Sequence, residues 1–273
     1  MKKGLFFVFA FFLLLMEQGA NAQPRYKQEA AFQAGEAAVY NIYFNWGFIW
    51  IHAGDVCFNV KESQQNGEKC FDLFVTGKTR SSFDKMYTIR DTFMSRMDVD
   101  SSRPFYYKEV KHEDSYYCNK QYNYVHGTDS AQVYMDFVRN TRHWKDTAVV
   151  ANNVNDLVST CYKFRNLDMQ TVPVNTLVGF NMMFDSEVYK LGLKYCGKET
   201  IKLKSGKKYK ALKFVPKLIT GDLFKNEDDM TIYVSDDDNH VPLLVTAKIK
   251  VGSIKAMLSS VKNTKTPMSS ELE

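Results

Sequence analysis

The chain has 273 residues, of which 45% are hydrophobic and 14% aromatic, and it carries a formal net charge of +5. Such a composition supplies a sizeable core, arranged as one large β domain or two smaller ones. The charge is mild and gives no case for a nucleic-acid partner.

Residues 1–22 read as an export leader. Lys2 and Lys3 form a basic start, residues 5–16 are a continuous apolar run, and Ala20, Asn21 and Ala22 offer small residues for cleavage. The mature chain is then expected to begin at Gln23. A membrane-spanning helix is the competing reading, but the run falls short of the roughly 20 apolar residues that a span needs. No cysteine follows the cleavage position, so a lipid anchor is not indicated, and no later run suits a spanning helix. Removing Lys2, Lys3 and Glu17 leaves a net charge of +4.

Residues 23–33 are polar and are expected to be a flexible segment. From residue 34 to 261 the chain reads as a single β domain. Its first strand spans 35–46, with Ala38, Tyr40, Ile42 and Phe44 on one face. The run 46–54 breaks the alternation: Gly47 and Gly54 bracket a dense aromatic stretch, as at a bulge or a close backbone approach. Trp46 and Trp50 are candidate ligand contacts there. Val56, Phe58 and Val60 then resume the inward phase.

Asn66 and Gly67 predict a tight hairpin turn. That turn sets Cys57 opposite Thr76 and Cys70 opposite Ser63, so the two thiols lie beyond the Cα limit of about 7 Å for a disulfide. The chain has five cysteines, Cys57, Cys70, Cys118, Cys161 and Cys196, so at least one is unpaired. Small buried side chains are the preferred reading.

Residues 83–98 predict a strand with Tyr87, Ile89, Phe93 and Met97 on one face and Thr88, Arg90, Thr92 and Arg96 on the other. Asp91 falls on the apolar face, where an ionised carboxylate needs a partner or a proton. It is either a ligand-binding or catalytic carboxylate, or a structural acid paired with a neighbouring Arg, Lys or Tyr. Tyr87, Arg90, Asp91 and Phe93 are carried forward as candidate ligand contacts. Residues 104–125 predict a hairpin turning at 112–115. Its tyrosines at 106, 107, 116, 117, 122 and 124 are either a sugar or lipid surface or cross-strand packing.

Residues 155–167 predict the one convincing helix, with Asn155 as N-cap and Asp156 in the first turn. Leu157, Cys161 and Phe164 form its apolar stripe, and Tyr162 is a candidate contact. Strands resume over 172–215. Lys190, Lys194, Lys202, Lys204, Lys208 and Lys210 alternate with apolar residues there. They form either a basic patch for anionic headgroups or acidic glycans, or an ordinary solvated face. A loop around Gly221 follows. Residues 230–235 and 241–258 predict a closing hairpin around the polar turn 236–240, and 262–273 a flexible tail.

Catalytic and cofactor motifs are absent. The five histidines are scattered, no two at zinc-helix spacing, and there is no C-x-x-C, no G-x-S-x-G, no P-loop and no G-x-G-x-x-G. Asp236, Asp237, Asp238 and Asn239 lack the Gly and distant Glu of a calcium loop and suit a turn. No cofactor or metal is implied.

Several pieces in order resemble the domain of unknown function 3108 family of exported bacterial proteins. They are Gly35-Glu36 with Tyr40, the 46–54 bend, Tyr87 to Phe93 with Asp98 and Pro104, Asp156 to Asp168, Gly197-Lys198-Glu199, Phe214 to Pro216 with Gly221 and Phe224, and Ser235 to Pro242. The resemblance implies a periplasmic or outer-membrane-associated β protein and brings no catalytic residues with it.

The expected fold is all-β and mainly antiparallel: a large curved sheet, open or partial barrel, with one helix on its concave side. A two-sheet sandwich is the alternative. The expected role is a non-enzymatic carrier of an apolar or amphiphilic ligand, with lipid, glycan or another envelope component as partner. The alternatives are a glycan or lipid hydrolase using Asp91 with a second acid or a Tyr, and a structural or assembly protein of the envelope.

Overall fold

The structure, a computed structural model, describes residues 25–46, 49–217, 229–249 and 252–273. The expected leader, the Gly47-Phe48 centre of the aromatic bend, the Trp46 side chain and the loop around Gly221 lie outside the described residues.

Eight strands run as an antiparallel meander: β1 (Ala37–Trp46), β2 (Ile49–Gln65), β3 (Glu68–Thr79), β4 (Ile89–Asp98), β5 (Pro104–Glu113), β6 (Tyr116–His126), β7 (Ser130–Arg139) and β8 (Arg142–Ala151). After the short β9 (Val154–Asn155) and helix α2 (Leu157–Arg165), a second meander follows. It comprises β10 (Leu177–Phe184), β11 (Glu187–Lys202), β12 (Lys208–Pro216), β13 (Met230–Ser235), β14 (Pro242–Lys248) and β15 (Ser253–Lys262). β15 pairs with β1, so the two meanders join into one sheet whose edges are β8 and β9. Only Asn152 and Asn153 separate those edge strands in sequence. A chain that short spans about 10 Å, so the sheet must curl until its ends nearly meet. A barrel-like wall results, and not a two-sheet sandwich.

The sheet closes through side chains where its ladder stops. Lys120 on β6 reaches Asp185 in the β10–β11 turn at 2.7 Å, and Arg139 on β7 approaches the same carboxylate at 3.6 Å. At the other end of the gap the Asn181 amide donates to Asn153 Oδ1 at 3.1 Å.

Period two sets the wall's two faces. On β4, Ile89, Asp91, Phe93, Ser95 and Met97 are buried while Arg90 and Thr92 are exposed. The β2–β3 turn has Asn66 at φ 53°, and its register sets Cys57 opposite Thr76 and Ser63 opposite Cys70 as the turn residues predict. All five cysteines are free thiols. At Gly54 a Cβ would sit 2.5 Å from the Lys78 carbonyl oxygen, which accounts for a glycine beside the aromatic bend.

α2 lies inside the wall, its Leu157, Val158 and Tyr162 buried against strand residues such as Val75, Phe93 and Phe180. Its N-cap is Asp156, not Asn155. The Asp156 carboxylate accepts from the N–H groups of Val158 (2.9 Å) and Ser159 (2.8 Å), and the Asp156 N–H donates back to Ser159 Oγ (3.0 Å). That reciprocal pair is a capping box; Asn155 instead ends β9 and bonds the Asn153 carbonyl. Ser95 Oγ of β4 also donates to Asp156 at 2.7 Å and ties the helix start to the wall. At the other end the His240 ring nitrogen Nδ1 lies 2.7 Å from the Arg165 carbonyl.

Four further expectations need correction. Residues 83–88 are not strand: a one-turn helix α1 (Ser81–Asp84) precedes β4, and Arg90 bonds back to Asp84 across the link. The 104–125 hairpin turns at Asp114 (φ 49°) and Ser115, so His112 and Glu113 belong to β5. The alternating run 241–258 divides into β14 and β15. Gly252 makes the reversal, at φ 91°, where a Cβ would lie 2.1 Å from the Asn45 carbonyl oxygen. The inward phase changes there, from odd positions (Leu243, Ala247, Ile249) to even ones (Ile254, Leu258), so the break in alternation marks the turn. Neither terminal segment runs free. Phe32 is 1% exposed and Tyr26 bridges to Leu167, while Ser270 is fully buried and β16 (Glu271–Leu272) pairs with β12. The N-terminal segment bonds the residue that follows α2, through Lys27 and Ala31 to Asn166, and the C-terminal one bonds the 236–240 turn, through Thr266 to Asn239 and Ser270 to Asp237.

Candidate functional site

Between α2 and the arc of wall formed by β1–β3 and β10–β15 lies a cavity of about 170 Å³. Its walls are almost wholly apolar, with Ile42, Val56, Phe58, Leu193, Ile232 and Ile254 from strands and Leu157, Val158 and Phe164 from the helix. Each strand residue comes from the inward phase of an alternating run. Of the helix residues, Leu157 and Phe164 come from the stripe that sequence periodicity shows, and Val158 lies beside it. A cavity this large exceeds the roughly 150 Å³ apolar voids that stay dry and take up benzene-sized guests.

The polar lining gathers at one end. Glu36, Tyr40, Tyr162 and Arg165 belong to it. The Arg165 guanidinium engages both Glu36 oxygens, Nη2 to Oε2 at 2.9 Å, and donates from Nε to the Asn239 carbonyl at 3.0 Å. Phe32 and Tyr162 rings flank the guanidinium at 5.4 and 5.5 Å. Burial holds the Tyr40 and Tyr162 phenols well above their ordinary value, and pushes the Cys161 thiol up to about 12. All three are neutral at physiological pH.

A second group of polar side chains sits inside the wall among β4, β5 and β6. Glu109, Lys111 and Glu113 are successive inward residues of β5, and all three are buried. In the ladder Lys111 stands opposite Asp91, and Glu109 opposite Lys120. Glu109 accepts from Tyr107 Oη (2.8 Å), and its Oε1 lies 3.1 Å from Lys111 Nζ and 3.4 Å from Lys120 Nζ. Burial would raise this carboxyl, but the two ammonium groups outweigh it and hold it low. Asp91 and Glu113 are neighbouring buried carboxyls, and such a pair favours one shared proton over two charges. Burial first, then the Glu113 charge, raises Asp91 to about 8, and Glu113 is raised as well. Tyr87 Oη donates to Glu113 at 3.2 Å, and the His112 N–H donates to Asp91 at 3.2 Å.

The residues singled out in the sequence therefore separate. Tyr162 lines the cavity. Tyr87 and Asp91 join the carboxylate pair, and Phe93 is fully buried with Lys111 Nζ 5.6 Å above its ring. Arg90 faces outward and pairs with Asp84 at 2.7 Å. Trp50 is 39% exposed, with Lys255 Nζ 4.2 Å over its ring. Of the lysines, Lys202 stands opposite Lys208, and Lys210 lies two residues further along β12. Lys190 and Lys194 lie toward the other end of β11, and Lys204 turns away to stack on Tyr43 at 4.4 Å. The sequence reading missed Glu36 and Arg165, whose pairing joins positions 129 residues apart. It also missed the alternating Glu109, Lys111 and Glu113. Their signal was available, since they share the inward phase of Tyr107.

Neither Asp91 nor Glu113 lines the cavity. Glycoside hydrolysis needs two carboxyls about 5 Å or more apart with substrate between them; these two touch. Among the described residues no cluster suits a metal ion. Nor is any helix long and apolar enough to cross a membrane.

Fold and cavity together define a class: a barrel-like antiparallel wall closed around one internal helix. Residues 39–259 match the family described as "Protein of unknown function (DUF3108)", and the chain belongs to that family. Its fold is similar to a crystal structure titled as a beta-barrel-like protein of domain of unknown function DUF1849 from Brucella abortus. That likeness has a TM-score of 0.56 at 8% identity and covers 88% of this chain and 100% of the other. No curated protein matches the sequence.

Proposed function

We propose that the protein is an exported, non-enzymatic carrier that holds an apolar or amphiphilic ligand between α2 and the wall. One observation carries the reading: side chains leave an apolar-lined cavity of about 170 Å³ in an interior that is otherwise a large buried core. An unfilled void of this size costs stability unless something occupies it. The leader-like residues 1–22 support export to the periplasm or outer membrane, where lipid and glycan components are available. Contact between Asp91 and Glu113 away from the cavity weighs against the hydrolase reading.

Organic extraction of the purified protein followed by mass spectrometry tests this. A stoichiometric apolar small molecule is expected. Substituting Leu193→Trp, which fills the cavity, is expected to abolish uptake of a fluorescent apolar dye while the β circular dichroism signal persists. No extractable ligand together with no dye uptake by the wild type would end the carrier reading.

A further inference from the structure

The cavity holds two donors that a pure hydrocarbon leaves unused. Tyr40 from β1 and Tyr162 from α2 line it with only 7% and 2% of their surfaces exposed. Among the described residues neither hydroxyl makes a hydrogen bond; their surroundings act on them through burial and through the Arg165 and Glu36 charges. A hydroxyl on a cavity-lining side chain without a partner forfeits the hydrogen bonds that it makes in water, so such groups are normally satisfied. The other side-chain nitrogen and oxygen atoms of the described lining are already engaged. Thr160 Oγ1 donates to the Asp156 carbonyl at 2.6 Å, and the Arg165 guanidinium donates to Glu36, Asn239 and Ala31.

We propose that the ligand carries a neutral oxygen function, such as an ester, ketone or alcohol, on a hydrocarbon body, and that Tyr40 and Tyr162 donate hydrogen bonds to it. This inference rests on the carrier reading and names its ligand class. Electrostatics select the neutral form. Among the described lining residues Arg165 is the one cation, and Glu36 already pairs with it. A ligand carboxylate would add a second anion beside Glu36 inside an apolar enclosure, with no cation left to offset it. An ammonium ligand would meet the same difficulty beside Arg165.

The test uses the full chain, stripped of bound lipid, with N-phenyl-1-naphthylamine as reporter and three competitors: octane, methyl octanoate and ionised octanoate. Methyl octanoate is expected to compete about tenfold better than octanoate, and the ester is compared with octane after correction for transfer from water into hexadecane. Tyr40→Phe and Tyr162→Phe are each expected to weaken the ester by about fivefold, the worth of one neutral hydrogen bond, and to leave octane unchanged. Phenylalanine keeps the ring, and the wild-type comparison does not depend on either variant. Octanoate equal to or better than the ester, or an ester-to-octane ratio unmoved by both substitutions, would overturn the neutral-oxygen assignment while leaving a carrier. If the dye and all three competitors fail to bind, the carrier reading falls, and this inference falls with it.

Discussion

At the scale of single residues, the Asp91–Glu113 contact makes stability depend on pH in a definite direction. Burial and Glu113 raise Asp91 from its ordinary 3.8 to about 8. Between those values the folded chain keeps a proton that the unfolded chain has lost, so stability falls as pH rises through the window. Below it, both states are protonated and the contribution is complete. Asp91→Asn removes the titration and retains an amide that can bond Glu113. The variant is expected to show a flatter dependence between about pH 4 and 8, and to exceed the wild type at pH 8 by on the order of 1–2 kcal/mol. Urea denaturation across that range measures it, and parallel curves would show that the pair titrates together only weakly. The Arg165–Glu36 pair makes the opposite case, since both partners are buried and charged. Glu36→Ala is expected to cost about 3–5 kcal/mol because it strands a buried guanidinium, whereas Glu36→Leu with Arg165→Met should cost far less. Equal losses from the single and double variants would mean that the two residues act independently. Asp91 was legible as an anomaly on an apolar face. Its partner was not, because Glu113 lies 22 residues away on a strand whose end the sequence misplaces.

At the scale of the element, α2 shows where local chemistry decides more than composition. Its apolar stripe is visible in the sequence, but the choice between Asn155 and Asp156 as cap is not, since both residue types cap well. The decisive contact is Ser95 on β4, 61 residues earlier, which holds Asp156 against the wall. Burial raises the Asp156 carboxyl to about 6 despite the hydrogen bonds it accepts. Asp156→Ala removes the cap and leaves buried donors at Ser95, Val158 and Ser159 without an acceptor. It is expected to cost about 2–3 kcal/mol, more than an exposed cap alone. Asp156→Asn, which keeps the acceptor oxygen, should cost less than about half of that. Thermal melts of the two variants decide it, and an alanine variant as stable as the asparagine one would remove the capping box from the account. The same lesson applies to Gly252. The alternating Ala247, Ile249 and Val251 read on as strand, but the apolar phase then moves to the even positions Ile254 and Leu258, and that shift together with the positive φ at the glycine marks the reversal.

At the scale of the whole molecule, alternation rich in Tyr and Phe was enough to give a curved antiparallel wall with a helix against its concave side. Closure was not legible, because it depends on which strands become neighbours over long separations. β1 meets β15 across more than 200 residues, and the two free edges meet through the two asparagines between β8 and β9. These two joins differ physically. The β1–β15 join is a ladder that runs from Ala37 opposite Lys262 to Asn45 opposite Ser253, with one register shift between Val39 and Tyr40. Among the described residues the β8 side has no backbone ladder to β9 or β10; side chains cross it, among them the Asp185 ion pairs, Lys120 over the Phe184 ring and the Asn153–Asn181 contact. Opening the β8 side therefore breaks few backbone bonds, whereas opening at β1 requires the loss of a whole strand pairing. Native-state hydrogen exchange should show this as an asymmetry. Outward-edge amides of β8 are expected to exchange roughly tenfold or more faster than those of β1, and the Lys120→Met change should widen the difference. A wall that breathes at β8 gives a large apolar guest a way past strands that are otherwise continuous. Equal protection in β8 and β1 would mean that the barrel opens as a single cooperative unit, and a guest would then have to enter by another route.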